Sequence, residues 1–245
     1  MSLEAWERYA LKPMKHLWHS RTKFQLWHET ECAWMRARVD FGELPEEAYN
    51  EASSIKVTDK MVKRIKELDT GPGGYEHDLV AFVMTIREQM ANWANEYHKK
   101  ITSYDIEDPA LMMLLREAIM SIIREACNLE AVLRLKAQEH KWTLTIAHTH
   151  GQYAEPTTFG HLLMVFAEAV HRSIERLKFA VDHELGEGKI SGPVGMYGDT
   201  DPLMEERALS YMGLKPAKAE TQILQRDRHA DVVSRITVLA GTIEQ

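Results

Sequence analysis

Two histidines, a glycine and a glutamine stand together at His148-Thr149-His150-Gly151-Gln152, followed by Glu155-Pro156-Thr157-Thr158. Histidine gives or takes a proton near neutral pH without help from its surroundings. Gly151 lets the backbone approach a ligand closely or adopt a conformation closed to other residues. Gln152 both donates and accepts, which suits orienting a substrate. Proton-transfer chemistry competes here with a plainer reading, a solvated loop with two incidental histidines. The His-x-His spacing makes a poor metal site, because no carboxylate stands at ligand spacing within the motif.

Three further stretches carry polar groups at helix ends. Glu76-His77-Asp78 follows the breaker Thr70-Gly71-Pro72-Gly73-Gly74, with Asp78 placed to cap a helix. Thr102-Ser103-Tyr104-Asp105 offers hydroxyls and free N–H groups ahead of an apolar run, a setting for a carboxylate or phosphate as well as for simple capping. Residues 221–231 gather Gln222, Gln225, Arg226, Asp227, Arg228 and His229, which also read as a solvated charged face.

The elements that must position these groups are helices. Leu111, Leu115, Ala118, Ile119, Ile122, Ala126, Leu129, Val132 and Leu133 recur at helical spacing, and Asp108-Pro109 predicts the start of that helix. A second helix is predicted over about residues 157–185 with Pro156 at its first turn, and a third over about 220–245. On that expectation residues 148–152 sit at the entrance of a bundle helix. The strand signal at residues 143–147 is short, so the predicted class is all-α. Residues 186–202 form a glycine-rich excursion between helices, long enough to need a reason.

The 245-residue chain has room for a sizeable core, carries a net charge of −7 and shows no basic block. That balance argues against nucleic acid or an anionic membrane as the main partner and leaves a small anionic substrate open. No apolar stretch reads as a signal peptide or a membrane span. Cys32 and Cys127 lack metal or redox spacing, so reduced cytoplasmic thiols are expected. The apolar stripe of the last helix is still running at Ile243, which reads as a bundle that continues or packs on a partner.

Taken together, the stretches resemble the adenylosuccinate lyases of the fumarase/aspartase superfamily. Residues 149–160, THGQYAEPTTFG, match that family's Thr-His-Gly-x-x-Ala-Glu-Pro-Thr-Thr-Phe-Gly. GKISGPVGMYG (188–198), TQILQRDRHAD (221–231), EHDLVAF (76–82), ITSYDIEDPA (101–110) and WERYALKPM (6–14) resemble its other motifs, in the right order.

The resemblance implies a small N-terminal helical domain over 1–101 and a long-helix bundle over 102–245, truncated on its C-terminal side. It implies elimination of fumarate from succinyl-amine nucleotides without cofactor or metal, by a homotetramer whose active sites draw on several subunits. By motif, His150 is expected to be the general acid and His77 the supporting histidine at the substrate phosphate or carboxylate. Thr102 and Ser103 are expected to anchor a carboxylate. Arg8 and Tyr9 resemble the nucleotide-contacting pair, and Asp78, Thr149 and Gln222 are further expected substrate contacts. Lys189 and Ser191 fall in the glycine-rich motif without an assigned role.

Four departures stand out. Tyr104 replaces a serine of the family's Thr-Ser-Ser-Asp, and Pro109 a threonine. Glu76 stands where some relatives carry arginine. The Ser-Ser-x-Met-Pro-x-Lys-x-Asn segment, which in the family supplies the catalytic base, occurs nowhere in the sequence. The expectation is therefore an N-terminal piece holding about half the machinery and inactive alone. A lyase of another substrate class (argininosuccinate or carboxymuconate) and a non-catalytic helical assembly protein are the competing readings.

Overall fold

The computed structural model describes residues 9–245. In chain order the elements are α1 (Lys12–Leu17), α2 (Ser20–Asp40), α3 (Glu46–Ser53), α4 (Asp59–Thr70), α5 (Asp78–Arg87), α6 (Ser103–Glu139), β1 (Leu144–Thr149), β2 (Gln152–Thr158), α7 (Phe159–His183), β3 (Glu187–Gly188), α8 (Pro202–Tyr211), β4 (Lys215–Pro216) and α9 (Asp227–Glu244). The fold is helical, as the periodicity predicts, with two short ribbons added. The chain forms two compact units, residues 1–118 with 185–225 and residues 119–184 with 226–245; the division of the continuous helix α6 falls at residues 118 and 119.

In the first unit an aromatic cluster sets the core. Phe24 and Trp27 of α2 meet edge to face at 5.3 Å, and Phe82 of α5 stacks on Phe24 at 5.9 Å. Such pairs add about 0.5–1.5 kcal/mol each beyond their buried area. Met35, Ile65, Leu79, Ile86, Tyr97 and Ile106 are buried around them. The predicted break at residues 70–74 ends α4 as expected. Asp40 ties α2 to α8 by accepting from Arg207 at 2.6 Å and from the Tyr211 hydroxyl.

The long helix α6 starts six residues before the predicted Asp108-Pro109 boundary. Thr102 and Asp105 decide this. The Thr102 N–H donates to Asp105 Oδ2 at 2.8 Å, and the Asp105 N–H donates back to the Thr102 carbonyl at 3.0 Å. That reciprocal cap satisfies N–H groups the helix end would otherwise leave open. Pro109 consequently lies inside the helix. Asp108 is not the cap; its carboxylate accepts the Leu224 N–H at 2.7 Å.

In the second unit, Ala167, Val170, Ile174, Leu177, Ala180 and Val181 form the buried stripe of α7, and α9 contributes Val232 and Leu239. Arg235 of α9 donates to the Arg176 carbonyl at 3.0 Å and lies over the Phe179 ring at 4.9 Å. Two predicted helix starts move. Thr158 caps α7 by accepting the His161 N–H at 3.2 Å, so Pro156 belongs not to a helix but to β2, opposite Ile146. Helix α9 begins at Asp227, seven residues later than expected; residues 221–226 run through bends and a turn ahead of it, with the Leu224 N–H held by Asp108.

Candidate active site

The expected general acid does not sit at a helix entrance. His150 and Gly151 form the two-residue tip of an antiparallel hairpin, in which His148 pairs with Tyr153 and Thr149 with Gln152. Both tip residues have positive φ, 53° at His150 and 70° at Gly151. A two-residue turn of that hand matches the twist of the strands it joins and asks for glycine at one position, which explains Gly151. His150, Thr149 and His148 are exposed, and the His148 ring lies 4.9 Å from that of Tyr153. The base of the hairpin is fixed by Gly160, which approaches the end of α6 so closely that its N–H donates to the His140 carbonyl at 3.1 Å.

In the first unit the starts of α5 and α6 come together. His77 is the residue preceding α5, and its ring makes no capping bond. Its Nε2 stands 3.5 Å from Ser103 Oγ, at the long limit of a hydrogen bond. Asp78 accepts from Lys23 Nζ at 2.9 Å with one oxygen and from the Leu79 N–H at 2.9 Å with the other. Thr102 and Ser103 are half-buried at the N-terminal end of a 37-residue helix, where the peptide dipoles favour an anion. Gln222 is exposed in the bend before α9, Tyr9 is exposed near the chain start, and Tyr104 is half-buried. Arg8 lies outside the described residues. Thus His77, Asp78, Thr102 and Ser103 are neighbours within one unit, and Thr149 and His150 share the hairpin of the other.

Sequence reasoning missed how the glycine-rich stretch is anchored. Lys189 and Asp105 are both fully buried and form an ion pair. Lys189 also donates to the Gly192 carbonyl at 3.1 Å, and the Gly192 N–H donates to Asp105 at 3.3 Å. Glu205 of α8 holds the same stretch from behind, accepting the Ile190 N–H and the Tyr197 hydroxyl, each at 2.6 Å. Burial raises the Glu205 carboxyl above its ordinary range, against the opposing effect of those two donors. A lysine flanked by small residues at 188–192 was the available signal, but nothing in the spacing names its partner 84 positions earlier. Among the described residues no group of three or more His, Cys, Asp or Glu side chains is placed to hold a metal ion. Among the same residues no helix is long and apolar enough to cross a membrane.

A family model described as Lyase matches residues 12–245. The chain belongs to the lyase family. This lyase-family chain is 38% identical over 240 residues to the adenylosuccinate lyase of Aquifex aeolicus and 37% identical over 243 residues to that of Thermotoga maritima. Each alignment covers 98% of this chain and 54% of the relative. The chain therefore spans about half the length of the curated relatives it matches. Its fold is shared with a fumarate lyase from Mesorhizobium sp. BNC1, at TM-score 0.84 and 23% identity over 96% of this chain and 55% of that one. It is shared equally with a β-carboxy-cis,cis-muconate cycloisomerase from Acinetobacter calcoaceticus, at TM-score 0.84 and 20% identity over 98% and 57% of the respective chains.

Proposed function

We propose that this lyase acts on adenylosuccinate, releasing fumarate to leave AMP, and on the succinyl-aminoimidazole carboxamide ribotide in the same way, within purine nucleotide synthesis. The observation that carries the reading is the meeting of His77 and Ser103, two separated motif residues, at the paired starts of α5 and α6. It is supported by the identity to adenylosuccinate lyases along 98% of the chain.

The chemistry asks for three things. A base must remove a weakly acidic proton beside a carboxylate, the resulting carbanion must be stabilised, and an acid must protonate the departing nitrogen. On this proposal His150 is the acid. Its exposed place on a tight hairpin leaves the ring free to meet a leaving group. Thr102 and Ser103 hold a carboxylate at the end of α6, where the helix dipole stabilises charge gathering on it. His77 supports that anion, Asp78 and Thr149 line the nucleotide, and Gln222 and Tyr9 with Arg8 complete the contacts. Glu76 replaces an arginine of some relatives, which weakens one phosphate contact. The base-bearing Ser-Ser-x-Met-Pro-x-Lys-x-Asn segment is absent from the 245 residues, so the proposal gives this polypeptide the acid and the carboxylate site. The second unit carries exposed apolar residues on several elements, including Leu135, Trp142, Val165 and Val233, and these suit self-association.

The test is titration of the purified chain with AMP and adenylosuccinate, with fumarate release followed in parallel. Binding without release is expected. Failure to bind either nucleotide refutes the reading. Release by the chain alone refutes the assignment of the base to another segment. Sedimentation as a monodisperse monomer refutes the self-association.

A further inference from the structure

Asp105 and Lys189 are an unusual way to join two segments. Each has a fully buried side chain, and taking two charges out of water costs more than burying an apolar pair of the same volume. An apolar pair, however, specifies no direction. Asp105 does: one oxygen takes the Thr102 N–H at 2.8 Å, and the other takes Lys189 and the Gly192 N–H. Gly192 sits at φ +83°, a conformation that side-chain-bearing residues rarely adopt. One carboxylate thus fixes both the peptide that opens α6 and the glycine-rich loop lying beside it.

Charge adds a second argument. Asp105 lies two residues from Ser103, at the helix end proposed to hold a substrate carboxylate. An uncompensated carboxylate there repels an incoming dianion, more strongly because low-dielectric surroundings screen it poorly. Lys189 cancels that charge from the buried side. No other cation is within salt-bridge distance of Asp105 among the described residues.

We propose that Lys189 and Asp105 are positioning residues of the dicarboxylate site, Asp105 by setting the Thr102-Ser103 backbone and Lys189 by neutralising Asp105. The inference rests on the carboxylate role given above to Thr102 and Ser103. Neither residue touches the ligand; both act through the end of α6.

The experiment is titration of the chain with fumarate itself, at about pH 6, where lysine carries its charge in water, and at two salt concentrations. Lys189→Met leaves an excess negative charge, so fumarate binding weakens about tenfold at low salt. Asp105→Asn keeps an amide oxygen to accept the Thr102 N–H, so the backbone stays set while an excess positive charge remains, and binding tightens and becomes more salt-dependent. The double variant, neutral again, returns to within about threefold of the parent. Opposite signs for the two single changes are the signature, since a merely structural pair weakens binding whichever partner is removed. Should Lys189→Met fail to fold by circular dichroism, Asp105→Asn carries the test alone. Unchanged or weaker binding by Asp105→Asn overturns the proposal. If the parent chain binds neither fumarate nor AMP, the carboxylate-site reading itself falls and takes this inference with it. If the parent binds and both single variants bind equally well, only the positioning role is lost.

Discussion

Replacing Gly160 with alanine opposes two effects of known size. Alanine is the better helix former by about 0.5–1 kcal/mol. Against that, a Cβ at Gly160 lies 2.3 Å from the Ala137 carbonyl oxygen, 2.8 Å from the His140 carbonyl carbon and 2.8 Å from Lys141 Cα. All three are backbone atoms, so no flexible side chain can yield. The start of α7 must move away from the end of α6, at an overpacking cost of about 1–3 kcal/mol. The movement strains the bond from Gly160 N–H to the His140 carbonyl and the 2.8 Å bond from Phe159 N–H to the Thr143 carbonyl. Each is worth about 0.5–1.5 kcal/mol. The cost wins, with a net loss of about 1–3 kcal/mol. Native-state hydrogen exchange reads it at the right place. Amides of the hairpin and of the first turn of α7 should exchange about tenfold faster or more, a tenfold change being about 1.4 kcal/mol. Exchange there that is unchanged or slower would show that intrinsic helix propensity prevails, and the close-approach argument would be wrong.

Four further outcomes follow from single sites. Burial pulls the His98 imidazole down, but the Glu31 carboxylate, by charge and a 2.6 Å hydrogen bond, more than reverses this and leaves its pKa raised. The stabilisation from this pair is thus full below the unfolded value of 6.5 and fades as pH rises through the folded one; urea midpoints of Glu31→Gln should lose this alkaline decline. Glu205, raised by burial, has the same sign for a carboxyl: its contribution is full below 4.5 and is lost as pH rises through its folded pKa, so Glu205→Gln should unfold at equal or higher urea than the parent at neutral pH, and a lower midpoint would count against it. Burial pushes the Cys32 thiol up to about 12, so iodoacetamide should modify exposed Cys127 and spare Cys32 until the chain unfolds, as peptide mass mapping would read. His150→Asn keeps a residue at ease with positive φ beside Gly151, so hairpin exchange should be unchanged while the proposed proton donor is gone; faster hairpin exchange would mean the imidazole also holds the turn.

The helical class, the break at residues 70–74 and the existence of three long apolar stripes were legible in the sequence, because periodicity reports which face a helix buries wherever its partner comes from. The motif residues were legible too, since their types carry the chemistry. Boundaries were not. Thr102 and Asp105 cap α6 ahead of an Asp-Pro pair that is an equally good local signal, and Asp108 is drawn away by the Leu224 N–H, 116 positions on. The hairpin at 144–158 was hidden because its apolar/polar alternation is brief and its proline lies in a strand instead of a first helical turn. Its tip, not a helix end, carries His150. Tertiary structure alone decided that His77 faces Ser103 and that Lys189 meets Asp105. Those contacts join residues 26 and 84 positions apart, and local propensity holds no information at that range. The sequence names the groups able to hold an anion or move a proton. Which of them stand together, and which charges are cancelled by burial, follows only from packing, because desolvation and pairing are properties of the folded surroundings and not of the residues.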